Sequence, residues 1–314
     1  MEVLTDVQPE RIAGLRARDE FFWLDLADPS ERDLEMLGEL LDLHPLALED
    51  TREFGQRPKL DRYPRGVLLV FFSARAPEAG APLELVEVHL HVSGGFVFSA
   101  RRGRSGQLEA LHAHLAGDGE SSEDYLIYRI LDALTDALYP VVDAVEGRVD
   151  ALEQSVLDRA RREQLGEIYR LKQEVQALQR RVVPMRDQFG AASTAILGLP
   201  GLTHGSREHL RDVGDHLAQV AGELYRQIDD LTALTTTYFS ANANRLNRTA
   251  TRLTVLASFF LIWTLVTSFF GQNFGWLVRH IDSLEAFVLY ELLSLVLPTV
   301  LAAAYFWRRR ADWL

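Results

Sequence analysis

The chain has 314 residues, 47% of them hydrophobic, and a formal charge of -12, enough length for one folded domain and further segments. Its acidic balance excludes nucleic acid as a partner, because holding phosphates takes basic patches. The absence of cysteine excludes disulfides, a thiolate metal site and a thiol nucleophile. The opening stretch MEVLTDVQPERIAGL lacks the basic start and apolar core of a secretory signal, which predicts a cytoplasmic N-terminus. Residues 1–120 read as a cytoplasmic α/β domain. FFWLDL is strand-like, DPSERDLEMLGELLDL is a helix opened by an Asp-Pro-Ser turn, and GVLLVFFSA, LELVEVHLHV and GFVFSA are strands separated by Gly and Pro. Glu87, His89 and His91 alternate along one of these strands and share a face. That pattern suits a transition-metal site, although exposed polar alternation on an antiparallel strand explains it more simply.

From residue 121 apolar residues recur at three- and four-residue steps. One run takes Ile127, Leu131, Leu134, Leu138, Val141, Val145, Val149, Leu152 and Val156, and a second takes Leu165, Ile168, Leu171, Val175, Leu178 and Val182. They predict a helical hairpin over 121–204, packing on the helix that follows, with Pro140 kinking the first helix and Pro184 stopping or bending the second. A third run from Leu210 to Leu234 continues past Tyr238 and Leu246 into an apolar segment with no proline between. It predicts a stalk helix over 205–270, roughly 100 Å long at 1.5 Å per residue. Alone, such a helix exposes its apolar stripe, and several copies around an axis are the economical way to bury it.

The stretch LTVLASFFLIWTLVTSFF, ending at Phe270, carries no charge, and AFVLYELLSLVLPTVLAAAYFW over 286–307 carries only Glu291. Each nears or reaches the roughly 20 residues that cross a hydrocarbon core of about 30 Å; a buried hairpin in a soluble protein is the alternative. Arg245, Arg248 and Arg252 precede the first span, and Arg308, Arg309 and Arg310 open a basic tail over 308–314. The loop over 271–285 carries Arg279 with Asp282 and Glu285. The positive-inside rule then places both termini in the cytoplasm and the loop outside, with Trp276, Trp307 and Trp313 near the interfaces. Glu291 is costly facing lipid and is expected to snorkel or to pair with His280 or Arg279.

The end of the long helix, YFSANANRLNRTATRLTVLASFFLIWTLVTSFFGQNFGW, resembles the C-terminal signature of the CorA-type divalent metal-ion (magnesium/cobalt) transporters, whose first span ends in Gly-Met-Asn. WLDLADPS, HPLALED with QRPKLDRY, YPVVDAVEGRVDALE, RRVVPMRD and RDVGDH match in order, so the resemblance covers essentially the whole chain. It implies an α+β membrane protein with an N-terminal cytoplasmic αβα domain, a long stalk helix and two C-terminal transmembrane helices. It also implies a funnel-shaped homopentamer in the cell's inner membrane. The implied activity is conduction of divalent cations and not enzymatic, in keeping with a sequence that offers no nucleophile with a base, no phosphate-cradling loop and no nucleotide motif. The implied cargo is Mg2+, with Zn2+, Co2+ or Ni2+ as alternatives; a membrane-anchored helical scaffold without transport is the alternative from another class.

The resemblance makes Gly271, Gln272 and Asn273 the selectivity filter, Asn273 supplying a ring of amide oxygens at the pore mouth. Mg2+ gives up its waters reluctantly, so a neutral ring binds the hydrated ion through those waters. Gly271 is expected to allow the turn out of the helix through a positive φ. Gln272 stands where Met is usual in the magnesium branch and Ile is common in the zinc-transporting branch. It either packs against the loop or adds a second amide to the filter, which leaves the choice of ion open. Asn247, Ala250, Leu253, Ala257, Leu261 and Thr264 match the pore-lining face, with Leu253 and Leu261 as hydrophobic constrictions; packing against lipid or another helix is the alternative for the leucines. Asp212 matches the family residue that binds regulatory Mg2+ between subunits. His209 and His216 share its helix face, and Glu78 is the nearest carboxylate expected from the neighbouring subunit. A cation there offsets carboxylate repulsion and holds the funnel closed; an ordinary solvated face is the alternative.

Overall fold

The structure, a computed structural model, describes residues 2–75, 84–115, 122–200, 207–272 and 274–308. Six strands form one mixed sheet: β1 (Glu2–Leu4), β2 (Phe22–Ala27), β3 (Lys59–Tyr63), β4 (Gly66–Ala74), β5 (Leu85–Val92) and β6 (Phe96–Arg101), in the spatial order β1-β2-β6-β5-β4-β3. The first three of that order run parallel and the remaining pairs antiparallel. Alternation along β2 sends Phe22, Leu24 and Leu26 into a core with Ile12 and Leu15 of α1 (Pro9–Ala17) and Leu34 and Leu37 of α2 (Glu31–Leu40). Trp23 and Asp25 point to the other face, toward His112 of α4 (Gly106–Leu115). Both faces of β2 are therefore covered, as a strand that pairs in parallel on either side requires. The Asp-Pro-Ser turn does open α2: Ser30 caps it, its hydroxyl accepting from the Asp33 N–H while the Asp33 carboxylate accepts from the Ser30 N–H at 3.0 Å.

Four helices follow: α5 (Glu123–Asp136), α6 (Tyr139–Asp158), α7 (Arg162–Leu197) and α8 (Arg207–Phe270). The first apolar run is two helices and not one kinked helix. Pro140 lies in the opening turn of α6, where its missing N–H has no helical partner to lose. Pro184 does not stop its helix, which runs on for a further three turns to Leu197. Met185, Phe189 and Ala192 beyond it are buried, and that packing outweighs the hydrogen bond the proline removes.

The stalk stripe also differs from expectation. Leu210, Val213, Leu217, Val220, Leu224, Leu231 and Leu234 are buried within the single chain. Neighbouring helices cover them: Gln227 Nε2 donates to the Val142 carbonyl at 2.9 Å, Arg226 pairs with Glu146 at 3.0 Å, and Lys172 Nζ donates to Thr232 Oγ1 at 2.7 Å. This part of the stripe does not call for further copies of the chain.

By its internal contacts the chain divides into Met1–Ser155 with Arg161–Thr235, and Val156–Ala160 with Thr236–Leu314. The second unit holds the end of α8, α9 (Gly275–His280) and the short α10 (Leu284–Ala286). A π-helical turn (Phe287–Leu292) and α11 (Leu293–Arg308) complete it. The helices Arg207–Phe270 and Leu284–Arg308 each contain an 18-residue window of mean hydropathy 2.0, none of it buried. A core hairpin of a soluble protein would bury that surface, so these are membrane helices. Trp263 Nε1 donates to Thr299 Oγ1 at 3.0 Å and the Phe259 and Phe306 rings lie 6.1 Å apart, which pairs the two spans antiparallel.

Candidate functional site

At the outer end of α8 the Gly271 N–H donates to the Thr267 carbonyl at 2.8 Å and the Gln272 N–H to Phe269 at 3.3 Å. The Phe274 N–H returns to the Gln272 carbonyl at 2.8 Å before α9 begins. Gly271 does not adopt the positive φ expected of it; among the described glycines only Gly55 and Gly103 do. Its lack of a side chain matters for another reason. A Cβ there would sit 2.9 Å from the Thr267 carbonyl oxygen, a backbone atom that cannot swing aside. Gln272 is exposed, and Asn273 lies outside the described residues.

Asn247, Ala250, Leu253, Ala257, Leu261 and Thr264 are all exposed in the chain, Leu253 at 61% and Leu261 at 70%. At about 100° per residue they centre about 150° around α8 from Phe259 and Trp263, the residues that touch the second span. The six positions thus share the side of α8 turned away from that span. The Thr264 hydroxyl donates to the Phe260 carbonyl at 2.7 Å, leaving its lone pairs directed outward.

In the first unit α8 and α5 bring four titratable side chains together. His216 Nδ1 lies 3.7 Å from Asp132 Oδ1 and 3.9 Å from Asp136 Oδ1, and His216 Nε2 lies 3.7 Å from Asp212 Oδ1. One donor atom each from Asp132, Asp212 and His216 falls within a 4.8 Å group. Two atoms bound at about 2.1 Å to one ion stand roughly 3 to 4 Å apart, so a cation fits among them with little movement. His216 Nδ1 is buried and has no hydrogen-bond partner among the described residues. Burial raises the Asp132 carboxyl above the usual carboxylate range, with Asp136 and Asp212 adding to it. The same negative field, behind burial, raises the Tyr128 and Tyr139 hydroxyls. A bound cation would offset the carboxylate contribution to each of these shifts.

Asp132 was not anticipated. Its signal was the pair Asp132 and Asp136, one helical turn apart in the mostly apolar run ILDALTDAL. Asp132 comes from the same chain as Asp212; Glu78, the acid expected from a neighbouring subunit, lies outside the described residues, as do Arg309, Arg310 and Trp313. His209 stands apart, its ring 4.8 Å from Tyr128 and 5.7 Å from Tyr125. The row Glu87, His89 and His91 is not exposed. Glu87 accepts from the Gly55 and Gln56 N–H groups at 2.7 and 3.0 Å and contacts His89 Nε2 at 2.7 Å. His91 Nε2 meets Thr51 Oγ1 at 2.8 Å, beneath α3 (Pro45–Arg52). Glu291 falls in the π-helical turn and pairs with neither Arg279 nor His280; His280 Nδ1 instead meets the Trp276 carbonyl at 2.8 Å.

This arrangement has known counterparts. The solved CorA magnesium transporter of Methanocaldococcus jannaschii superposes with a TM-score of 0.76 over 93% of this chain and 91% of its own, at 18% identity, which shows a shared fold. The cobalt/magnesium transport protein CorA of Thermotoga maritima is 25% identical over 87% of this chain and 78% of its own length. The zinc transport protein ZntB of Pectobacterium atrosepticum is 24% identical over 82% and 77%. The family model described as CorA-like Mg2+ transporter protein matches residues 18–310, from the αβ domain through both membrane helices, and the chain belongs to that family.

Proposed function

We propose that the protein is a divalent-cation channel admitting hydrated Mg2+ through a homopentameric pore in the cell's inner membrane, with both termini cytoplasmic. The observation that carries this reading is the single face of α8 bearing Asn247, Ala250, Leu253, Ala257, Leu261 and Thr264, exposed and turned away from the second span. Five such faces around an axis line a passage with apolar constrictions at Leu253 and Leu261 and polar stations at Asn247 and Thr264. The lining carries no charge, so the drive comes from the membrane potential. A divalent ion gains about 4.6 kcal/mol per 100 mV, enough for inward conduction without a coupled reaction.

At the mouth, Gly271 sets the turn, and Asn273, with or without Gln272, offers amide oxygens to the ion's water shell. On the cytoplasmic side Asp132, Asp212 and His216 form the sensor, where bound cation favours the closed state. A second reading has one observation in its favour. An imidazole nitrogen suits Zn2+, Co2+ or Ni2+ better than Mg2+, so His216 points to regulation, and with it transport, of those ions.

Flux into proteoliposomes with Mg2+ and Zn2+ offered separately tests the assignment. Wild-type protein conducts, and Asn273→Ala lowers uptake roughly tenfold or more while assembly is retained, because the lost group is a filter dipole and no packing element. Gln272→Met shifts preference toward Mg2+ where Gln272 belongs to the filter and leaves it unchanged where Gln272 packs. Absence of flux for every ion in the wild type establishes the scaffold reading instead.

A further inference from the structure

Arg245, Arg248 and Arg252 are exposed and spaced by three and four residues, which confines them to about 60° of the α8 surface. Their stripe continues the face on which Phe259 and Trp263 meet the second span, on the far side of α8 from Asn247 and Leu253. No Asp or Glu occurs in the sequence between Asp230 and Asp282, so none of the three has an acid within a helical turn to pair with. Among the described residues the ion pairs of α8 end at Arg226 and Asp230.

Position relative to the bilayer supplies the missing counter-ion. The uncharged run from Leu253 to Phe270 spans about 27 Å, close to the hydrocarbon core of about 30 Å, and each headgroup layer adds roughly 5 to 7 Å. Arg252 then stands at the edge of the core, Arg248 about 6 Å farther out and Arg245 about 10 Å out. Arg252 and Arg248 thus bracket the headgroup layer, and Arg245 stands a few ångströms beyond it, a gap that its long side chain spans. Guanidinium groups match phosphate in bidentate fashion, and a chain of net charge -12 otherwise repels an anionic leaflet. We infer that Arg245, Arg248 and Arg252 form a binding site for the phosphate headgroups of anionic lipid, securing the cytoplasmic end of the first span. It requires that residues 253–270 cross the bilayer and does not require that the protein conducts ions.

Native mass spectrometry of the full-length protein in detergent, with phosphatidylglycerol or phosphatidylcholine added, tests this. The wild type should retain phosphatidylglycerol in preference to phosphatidylcholine. Each Arg→Gln change should weaken that binding roughly fivefold, with the three together reducing it roughly a hundredfold. The triple Arg→Lys variant, which keeps the charges and loses the bidentate match, should bind less than the wild type and more than the triple Gln variant. Inorganic phosphate at equal concentration should not displace the lipid. Equal retention of both lipids by the wild type, displacement by inorganic phosphate, or undiminished phosphatidylglycerol binding in the triple Gln variant each overturns the site. Where that variant does not assemble, Arg248→Gln and Arg252→Gln decide singly, and wild-type lipid binding in both has the same force.

Discussion

His91 shows how a polar strand residue becomes part of a core. The Thr51 hydroxyl donates to the Ala47 carbonyl at 2.8 Å, so it accepts from His91 Nε2–H, which fixes the ring as the neutral tautomer protonated there. Burial then pushes the His91 pKa down to about 3, with His89 adding to it. Below about pH 6.5 the unfolded chain takes up a proton that the folded chain refuses. Stability contributed by neutral His91 is therefore complete above that pH and declines as pH falls toward about 3, by at most about 1.4 kcal/mol per unit. Thermal unfolding of the detergent-solubilised protein across that range should show the slope, and His91→Gln should flatten it. His112, also pushed down by burial, keeps part of the slope in the variant. An identical slope in both proteins means that other groups govern acid stability. The alternation of Glu87, His89 and His91 was legible in the sequence. The cover of α3 and the Gly55–Gln56 backbone was not, because those contacts join residues more than thirty positions apart.

Among the elements, α5 and α8 carry the proposed cation sensor. Each brings two titratable residues one turn apart, and neither pair is remarkable alone; packing of the two helices makes the group. Asp132→Ala should weaken divalent-cation protection of the protein against proteolysis roughly tenfold or more, since a ligand is lost outright where even a supporting residue costs that much. His216→Ala should weaken protection by Co2+ or Zn2+ more than protection by Mg2+, following the preference of imidazole for the former. Unchanged protection in both variants returns Asp212 to an ordinary solvated face. The prolines teach the same lesson at this scale. Pro140 and Pro184 are equally visible in the sequence, yet one opens a helix and the other lies inside one. The difference is whether flanking turns find apolar partners across the hairpin, which local rules do not contain.

For the whole molecule, the covered stalk stripe removes one reason for expecting several copies and leaves another. Exposed Leu253, Leu261 and Leu265 face away from the second span or beside that face, in a segment that lipid alone can solvate, but Asn247 and Thr264 share their side. Thr264 lies at membrane depth, with Asn247 just beyond the core edge on the same side; a polar group at that depth gains by meeting water or its own copies, and a ring of five chains provides both. Mass measurement of the solubilised protein should give a homopentamer, and a stable monomer or dimer ends the pore reading while leaving the family and fold intact.

Sequence alone determined the two membrane helices, the long helix leading into the first of them, four of the six strands described in the αβ domain (β2, β4, β5 and β6) and the family resemblance. Each of these is written in periodicity, uncharged length or a contiguous motif, and so in neighbours along the chain. Tertiary structure decided the rest: which residues of the stalk α6 and α7 cover, that Asp132 joins Asp212 and His216, that the histidines of β5 are sealed in, and that Gly271 is needed for a close approach to Thr267 and not for its φ. These depend on which residues distant in sequence come within a few ångströms of each other, and a linear pattern specifies the face a side chain lies on without specifying what meets it there.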